Sequence, residues 1–243
     1  MEERFKLTEK IIEESGEFLR SNFGKGKEKE VFRFDVKIFQ DIESEKLILE
    51  EIEKNFPDDG WISEEKGNKE SKSGYIWIVD PLDGTFNYLR EIPHFAISIA
   101  CKGEKDAFGI VYDVMKKEKF WAIKGKGAFL NGEKIKVSKT EKMEDAAGVF
   151  GLMKGEEEIR EGIEILKKFA PKIKKMRMFG SAALDLCYVA CGRVDFFIEF
   201  NLKVWDTEGG RIILEEAGGN YVERLLKGKK ISIATNNILK VEV

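Results

Sequence analysis

The chain has 243 residues, enough to bury a substantial core in one large domain or two small ones. Its 42 basic and 45 acidic residues leave a net charge of −3, so no broad basic face is available to neutralise a nucleic-acid backbone, and no nucleic-acid partner is expected. No apolar run approaches bilayer-spanning length and Met1-Glu2-Glu3-Arg4 offers no signal core, so a cytoplasmic protein without a membrane partner is expected. Apolar residues Leu7, Ile11, Ile12, Phe18 and Leu19 predict an amphipathic helix over 7–23 that ends at Gly24. The charged tract 25–30 then reads as an exposed connection. Asp41 is expected to open a second helix, with Leu47, Ile48, Ile52 and Phe56 on its apolar face and Pro57 at its end. Residues 75–79 read as a buried strand, short, aromatic and β-branched, from which the chain is expected to leave its sheet at Asp80-Pro81. From 95 to 137 the pattern is of short strands and hairpins, most clearly at Asn131-Gly132. After Ser138 strands and helices alternate, with helices expected over 156–169, 181–190 and 207–217 and a buried strand over 194–198.

The turn Asp80-Pro81-Leu82-Asp83-Gly84-Thr85 can aim two carboxylates and the Leu82 carbonyl at one point, a set of oxygens suited to magnesium, calcium or manganese. A polar turn at a strand end explains the same residues, since Asp, Pro and Gly are common there for local reasons. The pair Glu64-Glu65 lies upstream and Trp205-Asp206 far downstream. Taken without context, Glu64 and Glu65 read as solvated charges and Asp206 as a helix N-cap. Thr85 and Asp41 likewise have capping alternatives. His94 is the only histidine and reads as a packing or surface residue, so no Ser-His-Asp arrangement competes. Cys101, Cys187 and Cys191 sit among apolar or small residues and read as buried free thiols of a reducing compartment. The charged fraction of 36% exceeds the roughly 25% usual in soluble domains and is rich in Lys and Glu, as expected of a thermophilic source.

The string Trp77-Ile78-Val79-Asp80-Pro81-Leu82-Asp83-Gly84-Thr85-Phe86-Asn87-Tyr88 resembles one signature of the magnesium-dependent, lithium-sensitive phosphatases that include inositol monophosphatase and fructose-1,6-bisphosphatase. Trp205-Asp206-Thr207-Glu208-Gly209-Gly210, running into Glu216-Ala217-Gly218-Gly219, resembles a second. Between them Phe179-Gly180-Ser181-Ala182-Ala183-Leu184-Asp185-Leu186-Cys187 and Gly192-Arg193-Val194-Asp195 match in order and approximate spacing.

The resemblance implies an α+β fold, a layered α/β/α/β/α sandwich with the active site between two halves: residues 1–137, helices on an antiparallel sheet, and 138–243, an α/β half. It implies two or three Mg2+ ions per site, with Mn2+ as a substitute, held by Glu64, Asp80, Asp83, Asp206 and the Leu82 carbonyl. It gives catalytic roles to Thr85, to Asp41 as the partner of its hydroxyl, and to Glu65 beside Glu64. Substrate contacts fall to Asp83, Gly84, Thr85, Gly180, Ser181, Ala182 and Glu199, with Arg177 as the cation for a second phosphate and Lys175, Arg193 and Lys203 as further candidates. The expected activity is hydrolysis of inositol 1-phosphate and fructose 1,6-bisphosphate by in-line attack of metal-activated water, in a homodimer. The alternatives are a 3′-phosphatase acting on adenosine 3′,5′-bisphosphate and a catalytically silent, metal-binding regulatory protein.

Overall fold

A computed structural model describes residues 1–25, 28–32, 35–151 and 155–243. Its first part comprises α1 (Glu2–Ser21), β1 (Glu28–Phe32), β2 (Asp35–Ile38), α2 (Phe39–Asn55), β3 (Gly60–Ser63), β4 (Gly67–Lys69), β5 (Ile76–Asp83) and α3 (Thr85–Leu89). The strands β6 (Ala96–Lys102), β7 (Ala107–Asp113), β8 (Glu118–Ile123), β9 (Gly127–Leu130) and β10 (Glu133–Ile135) follow. The rest comprises β11 (Ala147–Phe150), α4 (Glu156–Phe169), β12 (Lys175–Arg177), α5 (Ala182–Ala190), β13 (Phe196–Phe200), α6 (Val204–Glu216), β14 (Asn220–Leu226) and β15 (Lys229–Thr235). One sheet runs β10-β9-β8-β7-β6-β5-β3-β4 and another β12-β11-β13-β15-β14, while β1 and β2 pair apart from both.

The layers follow from alternation along the strands. Trp77 and Val79 of β5 pack with Ile12, Leu19, Ile48 and Ile52 of α1 and α2 on the outer face of the larger sheet. Ile78, one residue out of phase, packs with Val111 and Phe120 on the inner face against Leu184, Leu186, Ile212 and Ile213 of α5 and α6. Those two helices are covered from the other side by Val149, Phe197 and Ala234 of the smaller sheet. Its opposite face, through Phe196, Ile198, Ile231 and Ile233, packs on Ile165 and Phe169 of α4. The result is the α/β/α/β/α sandwich that the sequence resemblance implies.

Several boundaries differ from the expectations. Helix α1 begins at Glu2, because Glu2 and Glu3 suit a helix N-terminus although they add nothing to an apolar stripe. Helix α2 begins at Phe39, so Asp41 sits in its first turn and accepts the Ile38 N–H at 2.9 Å. Of the tract expected to be a connection, residues 26 and 27 lie outside the described residues and 28–30 belong to β1. The hairpin at Asn131-Gly132 is present, with both residues at positive φ (48° and 87°), as a tight two-residue turn requires. The chief correction concerns β5, which continues to Asp83 instead of leaving the sheet at Asp80. Asp80 pairs with Ser98 and Asp83 with Ala96, so one extra residue is accommodated on β5, and a bulge at that point tolerates Pro81, which has no N–H to donate.

Candidate metal and phosphate site

The bulge turns the end of β5 toward α5 and α6. Asp80 has the same phase as Ile78 and therefore lies on the inner face, where it is only 1% exposed. Its Oδ1 accepts the Leu82 N–H at 3.1 Å. Burial pushes this carboxyl well above the ordinary carboxylate range, and the charges of Glu64, Asp83 and Asp206 push it in the same direction. Asp83 points to the N-terminus of α5, where its Oδ2 accepts the Ser181 hydroxyl and, at 2.9 Å, the Ala183 N–H. Burial and the charge of Asp206 nevertheless push Asp83 up to about 7, against those hydrogen bonds. Asp206 stands in the first turn of α6, where Oδ2 accepts the Lys203 N–H at 2.6 Å; Lys203, and not Asp206, is the N-cap residue. The charges of Glu64 from the turn after β3, of Asp83 from β5 and of Asp206 from α6 thus all bear on the buried Asp80. Among the described residues no three of them are drawn into a closed ligand cage, and their mutual repulsion opposes such closure. An all-oxygen set in which burial and neighbouring negative charge raise Asp80 and Asp83 fits a hard divalent cation.

Thr85 opens α3, and its hydroxyl lies 3.3 Å from Asp41 Oδ1 and 3.0 Å from the Leu82 carbonyl. One hydroxyl has one proton, so the two acceptors are alternatives. Asp41 is 2% exposed and stands in the first turn of α2; Ile38, and not Asp41, is the N-cap residue, and Asp41 accepts its N–H through Oδ2 while Oδ1 lies beside the Thr85 hydroxyl. Gly84 takes φ 91°, and a Cβ there would lie 3.1 Å from the Gly180 carbonyl and 3.2 Å from that of His94. Only glycine suits both that conformation and that space. The Gly180-Ser181 turn is held to α3 by Asn87, whose Nδ2 donates at 2.8 Å to both His94 O and Phe179 O. Sequence reasoning quoted Asn87 without giving it a task; an amide that follows a Gly-Thr helix start was the available signal.

The remaining expected residues divide. Ser181 and Ala182 are buried at the start of α5 beside Asp83, and Glu199 is half-buried on β13 with its carboxyl against the backbone of Gly151. Glu64 and Glu65 are half-buried in the turn between β3 and β4. Arg177 is exposed at the end of β12, two residues before Phe179, and its Nη1 donates to Met176 O at 2.8 Å. Lys175 is exposed on the same strand. Arg193 is committed elsewhere, forming two hydrogen bonds of 2.6 and 2.5 Å with Glu118 and covering the Tyr188 ring. His94 packs between Phe179 and Tyr188, with burial lowering its pKa to about 4 and the Lys116 charge acting in the same direction. The three thiols are free.

Comparison with known proteins agrees with this fold. The sequence model of the inositol monophosphatase family matches residues 1–239. A fructose-1,6-bisphosphatase/inositol-1-monophosphatase of Aquifex aeolicus is 41% identical over 211 residues, 85% of this chain and 80% of that protein. The Nus factor SuhB of Escherichia coli is 39% identical over 180 residues, 72% of this chain and 67% of that protein. Among solved structures, an inositol monophosphatase of Thermotoga maritima superposes with a TM-score of 0.87 at 31% identity, covering 97% of this chain and 93% of that one.

Proposed function

The chain belongs to the inositol monophosphatase family and is a phosphoric monoester hydrolase, and from that premise we propose that it uses Mg2+ to hydrolyse inositol 1-phosphate and fructose 1,6-bisphosphate. The observation that carries the metal dependence is the buried Asp80 carboxylate, held on the inner face by the bulge that also carries Asp83, with the like charges of Glu64, Asp83 and Asp206 bearing on it. Those four side chains and the Leu82 carbonyl would hold the ions, two or three in number, with Mn2+ an acceptable substitute. When bound, such cations neutralise phosphoryl oxygens and acidify water.

The protein's own groups then divide the remaining work. The Thr85 hydroxyl can pass its proton toward Asp41, so the pair orients a water and accepts its proton. The Asn87 clamp fixes the 179–181 turn beside Gly84, whose missing side chain lets the Gly180 and His94 carbonyls approach closely. Glu199 and the Ser181 hydroxyl offer acceptors to vicinal hydroxyls of a polyol. In this reading residues 1–137 supply the main cation ligands and the proton path, and residues 138–243 supply Asp206 and the polyol contacts. The exposed position of Arg177 makes it the least supported of the substrate residues.

The homodimer is proposed on the exposed side chains of Phe86, Ile92 and Met178. They flank one junction, because Asn87 ties α3 to residues 179 and 180 and accepts the Ile92 N–H. A cytoplasmic location is part of the same proposal; among the described residues no helix is long and apolar enough to cross a membrane.

The test is phosphate release from inositol 1-phosphate, fructose 1,6-bisphosphate and adenosine 3′,5′-bisphosphate in parallel, with Mg2+ and with chelator. Mg2+-dependent release from the first two supports the proposal, and release from the nucleotide alone overturns the substrate assignment. Silence on all three would favour the non-catalytic regulatory reading, to which the name of the Escherichia coli relative lends its one support.

A further inference from the structure

Helix α2 sends three neighbouring side chains into three separate segments of the site. Asp41 reaches Thr85 at the start of α3, 3.3 Å away. Ser44, fully buried, donates its hydroxyl to the Pro81 carbonyl at 2.9 Å, inside the bulge between Asp80 and Asp83. Because that single proton is used on Pro81, the buried Ser15 hydroxyl of α1, 2.7 Å away, must be the donor to Ser44. Glu45, 1% exposed, accepts the Glu65 N–H at 2.9 Å and the Lys66 N–H at 3.2 Å through one oxygen, in the turn that follows Glu64. Positions i, i+3 and i+4 lie on one face of a helix, so a rigid element with its own anchorage in Ile48, Leu49 and Ile52 sets the separation of the three segments.

Burying a carboxylate is costly, and an apolar residue would fill that volume at lower cost. Among the described residues, Glu45 repays the cost through the backbone of a turn with little packing of its own, since Glu64 and Glu65 are half-buried and residues 66–68 exposed. We propose that Ser44 and Glu45 are positioning residues of the cation site: Ser44 fixes the bulge that carries Asp80, Leu82 and Asp83, and Glu45 fixes the turn that carries Glu64. This role presupposes the metal-dependent reading above. A role confined to satisfying buried backbone groups predicts lower stability with unchanged cation affinity, whereas positioning predicts weaker cation binding beyond any loss of stability.

The experiment uses the intact protein with Mg2+ as the probe. Affinity is measured by calorimetric titration without substrate, and the Tm of the metal-free protein is recorded beside it. Glu45→Ala is expected to weaken Mg2+ binding by about 10-fold, as loss of an outer partner of a metal ligand does, and Ser44→Ala by about 3-fold or more. Glu45→Gln keeps a carbonyl oxygen for both N–H groups and is expected to stay within about 3-fold of wild type. Ile165→Val, in the layer of α4 on the opposite face of the smaller sheet, lowers Tm without moving Mg2+ affinity. Wild-type affinity in both folded Glu45→Ala and Ser44→Ala overturns the positioning role alone, and if Glu45→Ala does not fold, Ser44→Ala decides. Absence of Mg2+ binding by the wild-type protein overturns the metal reading itself.

Discussion

Gly109→Ala tests whether the relative placement of the two sheets sets the geometry of the site. Gly109 lies on β7 beneath α6, where a Cβ would stand 2.4 Å from the Gly209 carbonyl oxygen and 3.1 Å from the Gly209 carbonyl carbon and Cα. A comfortable carbon-to-oxygen contact is about 3.3 Å, so helix and strand must separate by about 1 Å. The obstacle is backbone on both sides, and no side-chain rotation relieves it. Gly209 is one residue short of a helical turn beyond Asp206, so a displacement there is carried to the carboxylate that α6 contributes. Overpacking of this kind costs about 2–3 kcal/mol, which for a chain of this size lowers Tm by roughly 5–10 °C. A shift of about 1 Å in a catalytic group lowers turnover by about 100-fold. The assays are thermal unfolding and Mg2+-dependent phosphate release at a temperature where the variant is fully folded. Ile12→Ala, which opens a cavity in the outer layer of α1 and α2 and costs about 2–5 kcal/mol, controls for stability alone and should keep wild-type turnover per folded molecule. Wild-type turnover in Gly109→Ala, or a Tm within about 2 °C of wild type, would refute the claim that α6 is held in place by the glycine contact.

Asp83→Asn keeps an oxygen to accept the Ser181 and Ala183 hydrogen bonds but loses the charge, so turnover should fall by at least about 100-fold. Because that charge repels Asp80, the metal-free variant should melt no lower than wild type at pH 8, and a large drop in Tm would show that Asp83 is structural. Asp59 is 1% exposed and accepts Arg4 Nε at 2.6 Å, Arg4 Nη2 at 2.7 Å and Trp77 Nε1 at 2.9 Å; Asp59→Ala should cost about 3 kcal/mol in denaturant unfolding with unchanged KM. Burial raises the Asp59 carboxyl, but the bonds from Arg4, Ser73 and Trp77 outweigh it and hold the pKa below the usual range, so this contribution is present above the unfolded-state pKa and lost as pH falls through the folded one. His94 titrates near 4 in the folded protein and near 6.5 when unfolded, so the unfolded chain binds the extra proton and stability falls as pH drops from 6.5 toward 4. The difference in unfolding free energy between wild type and His94→Gln should change by about 2–3 kcal/mol across that window, and a pH-independent difference would contradict the buried, neutral imidazole.

What was legible in the sequence was what local chemistry writes locally. Asn131-Gly132 announces its turn because only certain residues take two successive positive φ angles, and the apolar periodicities of 156–169 and 181–190 are those of α4 and α5. Asp80, Asp83 and Thr85 were legible as candidates through a contiguous string whose neighbours resemble one family. The local reading failed at Pro81: a missing N–H argues for the end of a strand, yet the bulge opposite Ser98 and Ala96 needs no N–H there. Only the partner strand reveals that, and it is the bulge that aims the carboxylates. Ser44 and Glu45 were invisible for a related reason. In an amphipathic helix dense with Glu and Lys, a serine and a glutamate read as solvated face, and their partners at Pro81 and Glu65 are 37 and 20 residues away in the chain. Glu45 and its neighbour Glu43 carry the same side chain, and only one is buried. Composition and periodicity assign each residue its average environment, whereas a cation site depends on the few that depart from it. Among the polar residues that tertiary structure buries, those whose partners lie in the segments carrying Glu64, Asp80 and Asp83, namely Asp41, Ser44 and Glu45, are accordingly where a search for the machinery of this fold should begin.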